Sequence, residues 1–141
     1  MLEGVNTKGA WREEVESLSN ESSQIWVFNN YLSSGFRGNG AMQEILIKRA
    51  EDKKKATYIY IGSENDRLKS PGSLPFIDLD LRGKLTPLEI VELLAMKEVA
   101  GAICFDTFIS HVATLLEKDV DCVPRSKHMA NIINRRFVPF Y

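Results

Sequence analysis

Asp106 and Thr107 close an apolar run, residues 99–105, and open a stretch of helical spacing in which His111 stands one turn further on. A small polar pair between a buried strand and a helix leaves unpaired backbone N–H groups at the strand's C-terminal end. In α/β proteins ligands, and phosphates above all, tend to sit there. The chemistry on offer is anion binding. Helix N–H groups and the Thr107 hydroxyl are the donors, Asp106 caps the helix, and His111 faces the same mouth. The plain alternative is that Asp106 is only an N-cap and His111 a hydrogen-bonded core histidine.

Four other groups could share that chemistry. The loop Gly35-Phe36-Arg37-Gly38-Asn39-Gly40 follows the first strand. Its glycines permit close backbone approach to an anion, and Arg37 could pair with it. It matches no regular dinucleotide fingerprint, and a flexible connection explains it equally well. Ser63-Glu64-Asn65-Asp66-Arg67 follows a second strand and reads otherwise as a solvated loop. Lys84 precedes a helix start, where it could reach a phosphate or simply be a surface lysine. Pro124-Arg125-Ser126-Lys127-His128 again lies just past a strand. Arg125 and Lys127 would add positive charge there, unless the segment is only a turn before a polar helix. Nothing local resembles a nucleophile with its base, a Walker loop, a C-x-x-C pair or H-E-x-x-H, so no metal site and no catalytic residue is expected from motifs.

The elements that must hold these groups follow from periodicity. Trp11, Val15 and Leu18 suggest a short helix over residues 10–18 within a polar leader, residues 1–23. Residues 25–28 make a strand. Met42, Ile45, Leu46 and Arg49 mark a helix that ends in the basic run Lys53-Lys54-Lys55. Residues 57–62 are a clear β-branched and aromatic strand; residues 63–73 read as loop and 76–79 as a shorter strand. Thr86-Pro87-Leu88-Glu89 has the N-cap, the proline and the capping-box glutamate of a helix start, and this helix buries Ile90, Leu93, Leu94 and Met96. A strand to Phe105, a helix carrying Phe108, Val112, Leu115 and Leu116, a strand over 120–123 and a tail helix near 126–134 complete the chain. Strands alternating with helices imply right-handed βαβ units and a mostly parallel sheet covered on both faces. The expected fold is a three-layer α/β/α Rossmann-like domain over residues 24–141.

The chain has 141 residues, 44% of them hydrophobic and 26% charged, which suits one soluble domain with one core. A net charge of −1 gives no overall pull toward nucleic acid or an anionic membrane. No apolar stretch reaches membrane-spanning length and no signal peptide is evident, so the expected compartment is the cytoplasm. Cys104 and Cys122 lie in apolar runs and read as buried free thiols.

The order of features from Tyr58 to Pro124 resembles the C-terminal, donor-binding domain of the bacterial heptosyltransferases, lipopolysaccharide glycosyltransferases of the two-domain GT-B type. Gly83-Lys84 with Leu88-Glu89-Ile90 is similar to that family's "L-x-G-K-x-(S/T)-L-x-E-L" helix start. Asp106-Thr107, His111 and Ala113 match its "D-(S/T)-G-x-x-H-x-A" donor motif. Phe108 stands where members carry glycine, and its bulk would narrow the approach of a donor diphosphate. The resemblance implies binding of a nucleotide-diphosphate sugar as donor substrate, without a cofactor, by Thr107, His111 and neighbouring amides, at a cytoplasmic site or peripherally at the inner membrane. In that family an N-terminal domain supplies the acceptor half of the cleft and the catalytic carboxylate. The chain is then an excised or truncated donor domain, or a stand-alone relative that has lost the reaction. Its partner would be such a domain or a second copy of itself. Two alternatives stay open: a non-catalytic interaction module on the same fold, and an unrelated nucleotide binder using the 35–40 loop.

Overall fold

The computed structural model describes residues 10–19, 24–30, 40–52, 55–69, 72, 74–105, 108–123 and 136–137. In chain order its elements are α1 (Ala10–Leu18), β1 (Gln24–Phe28), α2 (Gly40–Asp52), β2 (Ala56–Tyr60), α3 (Glu64–Lys69) and β3 (Ile77–Asp80). Then come α4 (Pro87–Ala95), β4 (Val99–Phe105), α5 (Phe108–Leu115), β5 (Asp119–Val123) and β6 (Arg136–Phe137). The strands form one sheet in the order β3-β2-β1-β4-β5-β6, and every pairing is parallel. The fold is Rossmann-like α/β. Among the described residues no helix is long and apolar enough to cross a membrane.

Both faces of the sheet are covered, as parallel strands require. On one face Ile25, Val27, Ile59, Ala102, Cys104, Val120 and Cys122 pack against Trp11 and Val15 of α1, Leu93 and Leu94 of α4, and Ile109 and Ala113 of α5. On the other, Trp26, Phe28, Tyr58, Tyr60, Ile103 and Phe105 pack against Leu46 and Ala50 of α2. Burying a Leu or Ile side chain contributes about 2 kcal/mol, so strands apolar on both faces commit the chain to this layering. Helix α1 belongs to the first layer: Val15 is fully buried, Trp11 donates its indole N–H to Glu89 (3.1 Å), and Arg12 pairs with Glu92 (3.0 Å).

Helix α4 begins as its sequence requires. Thr86 Oγ1 accepts from the Glu89 amide while the Glu89 carboxylate accepts from the Thr86 amide. Two expectations change. Residues 64–69, expected within a loop, form α3, because Ser63 and Asp66 make a reciprocal box: Ser63 Oγ accepts from the Asp66 amide (3.1 Å) and Asp66 Oδ2 from the Ser63 amide (2.9 Å). On α5 the buried residues are Ile109, Ser110 and Ala113; of the expected stripe Val112 and Leu116 pack partly buried against the core, whereas Phe108 and Leu115 are exposed. The helix is rotated from that stripe because Ile109 and Ala113, four apart, seat it on the sheet.

Cys104 and Cys122 are buried and not joined in a disulfide, and they stand directly opposite each other on β4 and β5. Gly101 is where β4 comes closest to its neighbours. A Cβ there would lie 2.7 Å from Trp26 Cζ3 and nearer still to the Asp119 carbonyl oxygen. The tail helix expected near 126–134 lies outside the described residues.

Candidate functional site

The strand order reverses between β1 and β4, and in open α/β sheets the ligand crevice lies beyond the carboxyl ends at such a point. The residues leaving β1 are Asn29 and Asn30, both buried. Asn29 holds three strands together at this point. Its amide donates to the Ile103 carbonyl of β4 (3.0 Å), and its side-chain nitrogen donates to the Ile61 carbonyl beyond β2 (2.8 Å). Asn30 Oδ1 accepts the Tyr60 hydroxyl (2.8 Å). The ladder continues outward, with the Leu81 amide donating to Tyr60 O and the Gly83 amide to Gly62 O, both at 2.8 Å. Four strand ends are therefore tied into one rigid edge.

On the far side of the crevice β4 ends at Phe105 and α5 begins at Phe108. Phe108 is 45% exposed at the first turn of α5, and His111 is exposed one turn on; Ser110 between them is fully buried. His111 is thus no core histidine. Asp106 and Thr107, the pair expected to cap this helix and donate to a phosphate, lie outside the described residues. So do Arg37 and Gly38 of the glycine-rich loop, and Arg125 after β5.

Lys84 stands at the other end of the same edge, in the turn after β3. It lines a cavity of about 520 Å³ with Glu64, Arg67, Asp80, Arg82 and Gly83. Three strand spacings, about 14 Å, separate β3 from β4, so the structure brings Lys84 to the crevice's edge but not beside Phe108 and His111. Two of the cavity's cations are already neutralised. Arg67 makes two bonds of 2.7 Å to the Glu64 carboxylate. Arg82 grips Asp80 through Nε (3.0 Å) and Nη2 (2.8 Å). Lys84 adds a third positive charge, and the cavity wall carries a net +1 from these five side chains. Gly83 makes the turn possible, with φ +76° and the Glu64 backbone 3.0 Å from where a Cβ would be.

Arg82 is completely buried and was not legible as a site residue. Its guanidinium lies 4.2 Å from the centre of the Tyr60 ring, and Nη2 reaches the Gly72 carbonyl (3.5 Å). Burial pushes the Asp80 carboxyl up, but the hydrogen bonds and charge of Arg82 outweigh it and hold the group below its ordinary value. The Arg67 hydrogen bond lowers Glu64 in the same way. Asn29 and Asn30 did carry a signal: a small polar pair at a strand's C-terminal end, as at Asp106-Thr107.

Two titratable groups away from this edge have structural partners. Asp78 Oδ2 accepts from the Tyr58 amide (2.8 Å), and the fully buried Asp121 pairs with Arg49 of α2 (3.1 Å). Chemically the edge offers an anion the positive charge of Lys84, while the buried Asn29 and Asn30 hold the strand ends together. No family model, no curated protein and no solved structure matches the chain.

Proposed function

We propose that the chain binds a nucleotide-diphosphate sugar at the carboxyl edge of its sheet, as the donor half of a glycosyltransferase. The observation that carries this reading is the reversal of strand order between β1 and β4, with buried asparagines on one side of the crevice and the start of a helix on the other. The diphosphate would lie at the β4–α5 junction, where Thr107, His111 and helix N–H groups are the donors. Lys84 and the cavity beside it would take the distal part of the donor. In transfer, these fixed donors would stabilise the leaving diphosphate. An acceptor-binding domain, with the carboxylate that activates the acceptor hydroxyl, would complete the cleft.

A second reading, an interaction module that binds no nucleotide, is favoured by Phe108. An exposed aromatic ring stands at the mouth where the resembling family has glycine. Fold alone does not separate the two.

Calorimetric titration with ADP, UDP, GDP and CMP decides between them. Saturable binding of one nucleotide at millimolar or lower concentration supports the donor reading. Heats no larger than dilution for all four would rule it out.

A further inference from the structure

The cavity in the turn after β3, about 520 Å³, falls within the size range of small-molecule sites. Such sites are mostly lined by apolar and aromatic side chains, with a few polar groups for orientation. Here, apart from Gly83, every lining residue is charged: Glu64, Arg67, Asp80, Arg82 and Lys84. That wall suits a hydroxyl-rich ligand and not a nucleobase. The Tyr60 ring, which could have stacked on a base, carries the Arg82 guanidinium instead.

The wall is set before a ligand arrives. The Gly83 amide donates to Gly62 O (2.8 Å) and the Lys84 amide to Leu81 O (3.1 Å), so the turn is pinned at both residues. Each Glu64 carboxylate oxygen accepts one bond from Arg67, which leaves each a lone pair for a hydroxyl. Among the described residues Lys84 makes no ion pair, and its charge reaches Asp80 at longer range. An acceptor at Glu64 and a cation at Lys84 thus line one polar cavity.

Charge narrows the ligand further. The two carboxylates balance the two arginines, and Lys84 leaves the wall at +1. A phosphate monoester brings nearly two negative charges at neutral pH, more than this wall balances, and sets them near two carboxylates. One carboxylate matches it. We infer that the cavity binds a sugar bearing a single carboxylate, a uronic acid, with Lys84 on the acid group and Glu64 accepting ring hydroxyls. As the sugar of the donor it deepens the reading above. Its place in a transfer reaction rests on that reading, whereas the binding itself does not.

The test follows amide shifts of the labelled chain during titration with glucuronate, glucose and glucose 6-phosphate. It uses the wild-type chain, Lys84→Met and Lys97→Met. Lys97, exposed just before β4, loses the same charge at the opposite edge of the sheet. Glucuronate is expected to move the amides of Glu64, Gly83 and Lys84 saturably, and to bind more tightly than glucose or glucose 6-phosphate. Lys84→Met should weaken it about fivefold, the scale of one solvent-exposed ion pair, and Lys97→Met should not. No movement at tens of millimolar overturns the assignment. So does glucose or glucose 6-phosphate binding as tightly as glucuronate, an unaffected Lys84→Met, or an equal loss in Lys97→Met. Titration of the same sample with the four nucleotides separates the two readings. Nucleotide binding without glucuronate binding removes the uronic acid alone; glucuronate binding without any nucleotide removes the donor reading and leaves the cavity its ligand.

Discussion

Arg82 is fully buried, and the carboxylate that neutralises it belongs to Asp80, only two residues earlier, at 2.8 Å. Local pairing of this kind makes the turn after β3 self-supporting. The Arg82 amide also donates to Asp80 Oδ1 (3.0 Å), so backbone and side chain close on the same group. Arg82→Met should cost about 3 kcal/mol, because Asp80 loses its partner and Tyr60 its cation. Urea unfolding would show this as a lower midpoint at unchanged slope. Arg82→Lys should recover little, since an ammonium cannot make the two-point contact or stack flat on the ring.

The same pair sets an acid limit. Because the folded Asp80 carboxyl titrates lower than in the unfolded chain, its stabilisation is complete above about pH 3.9. It is lost progressively as the pH falls through the folded value. Urea midpoints between about pH 5 and pH 2 should fall less steeply for Asp80→Asn than for wild type. Equal slopes would mean that other carboxylates dominate.

Gly101 is expected to tolerate no side chain. An added methyl meets the Asp119 carbonyl and the Trp26 ring, neither of which can retreat without breaking the β4–β5 pairing or the layer under α2. Gly101→Ala should cost about 3 kcal/mol. Gly72→Ala, with nothing within 4 Å, is the control and should change the unfolding midpoint little.

Phe108 can be tested where it stands. Half exposed on α5, it contributes little to the core, and its truncation costs mainly helix propensity, about 1 kcal/mol for glycine. If its bulk narrows the approach to the β4–α5 junction, Phe108→Gly should bind a nucleoside diphosphate severalfold more tightly than wild type in calorimetry. Unchanged affinity would place the ligand elsewhere.

Much of the fold was legible because it is written in local pattern. The Thr86–Glu89 box, the β-branched run around Ile59 and the apolar strand ending at Phe105 each have a short-range cause. Helix α3 was not legible although Ser63 and Asp66 have the spacing of a capping box, because the run is polar and punctuated by Pro71-Gly72. The stripe of α5 was legible in part: Val112 and Leu116 pack against the core, but Ile109 and Ala113 are its buried residues and Phe108 and Leu115 are exposed. The site was less readable. Lys84 could be placed from the turn it follows, but a buried Arg82 depends on Tyr60, 22 positions away, and Tyr60 in turn on Asn30. Such contacts arise only once three parallel strands are side by side.

The central claim is that a nucleotide occupies the carboxyl edge at the strand-order reversal. Amide chemical shifts of the labelled chain, followed during titration with ADP, UDP, GDP and CMP, test it most directly. The expected result is that one nucleotide moves amides at Asn29–Asn30, at Phe108–Ser110 and at Gly83–Lys84, leaving the buried strand interiors still. The contradicting result is that none moves them at millimolar concentration, or that shifts fall on the opposite edge of the sheet.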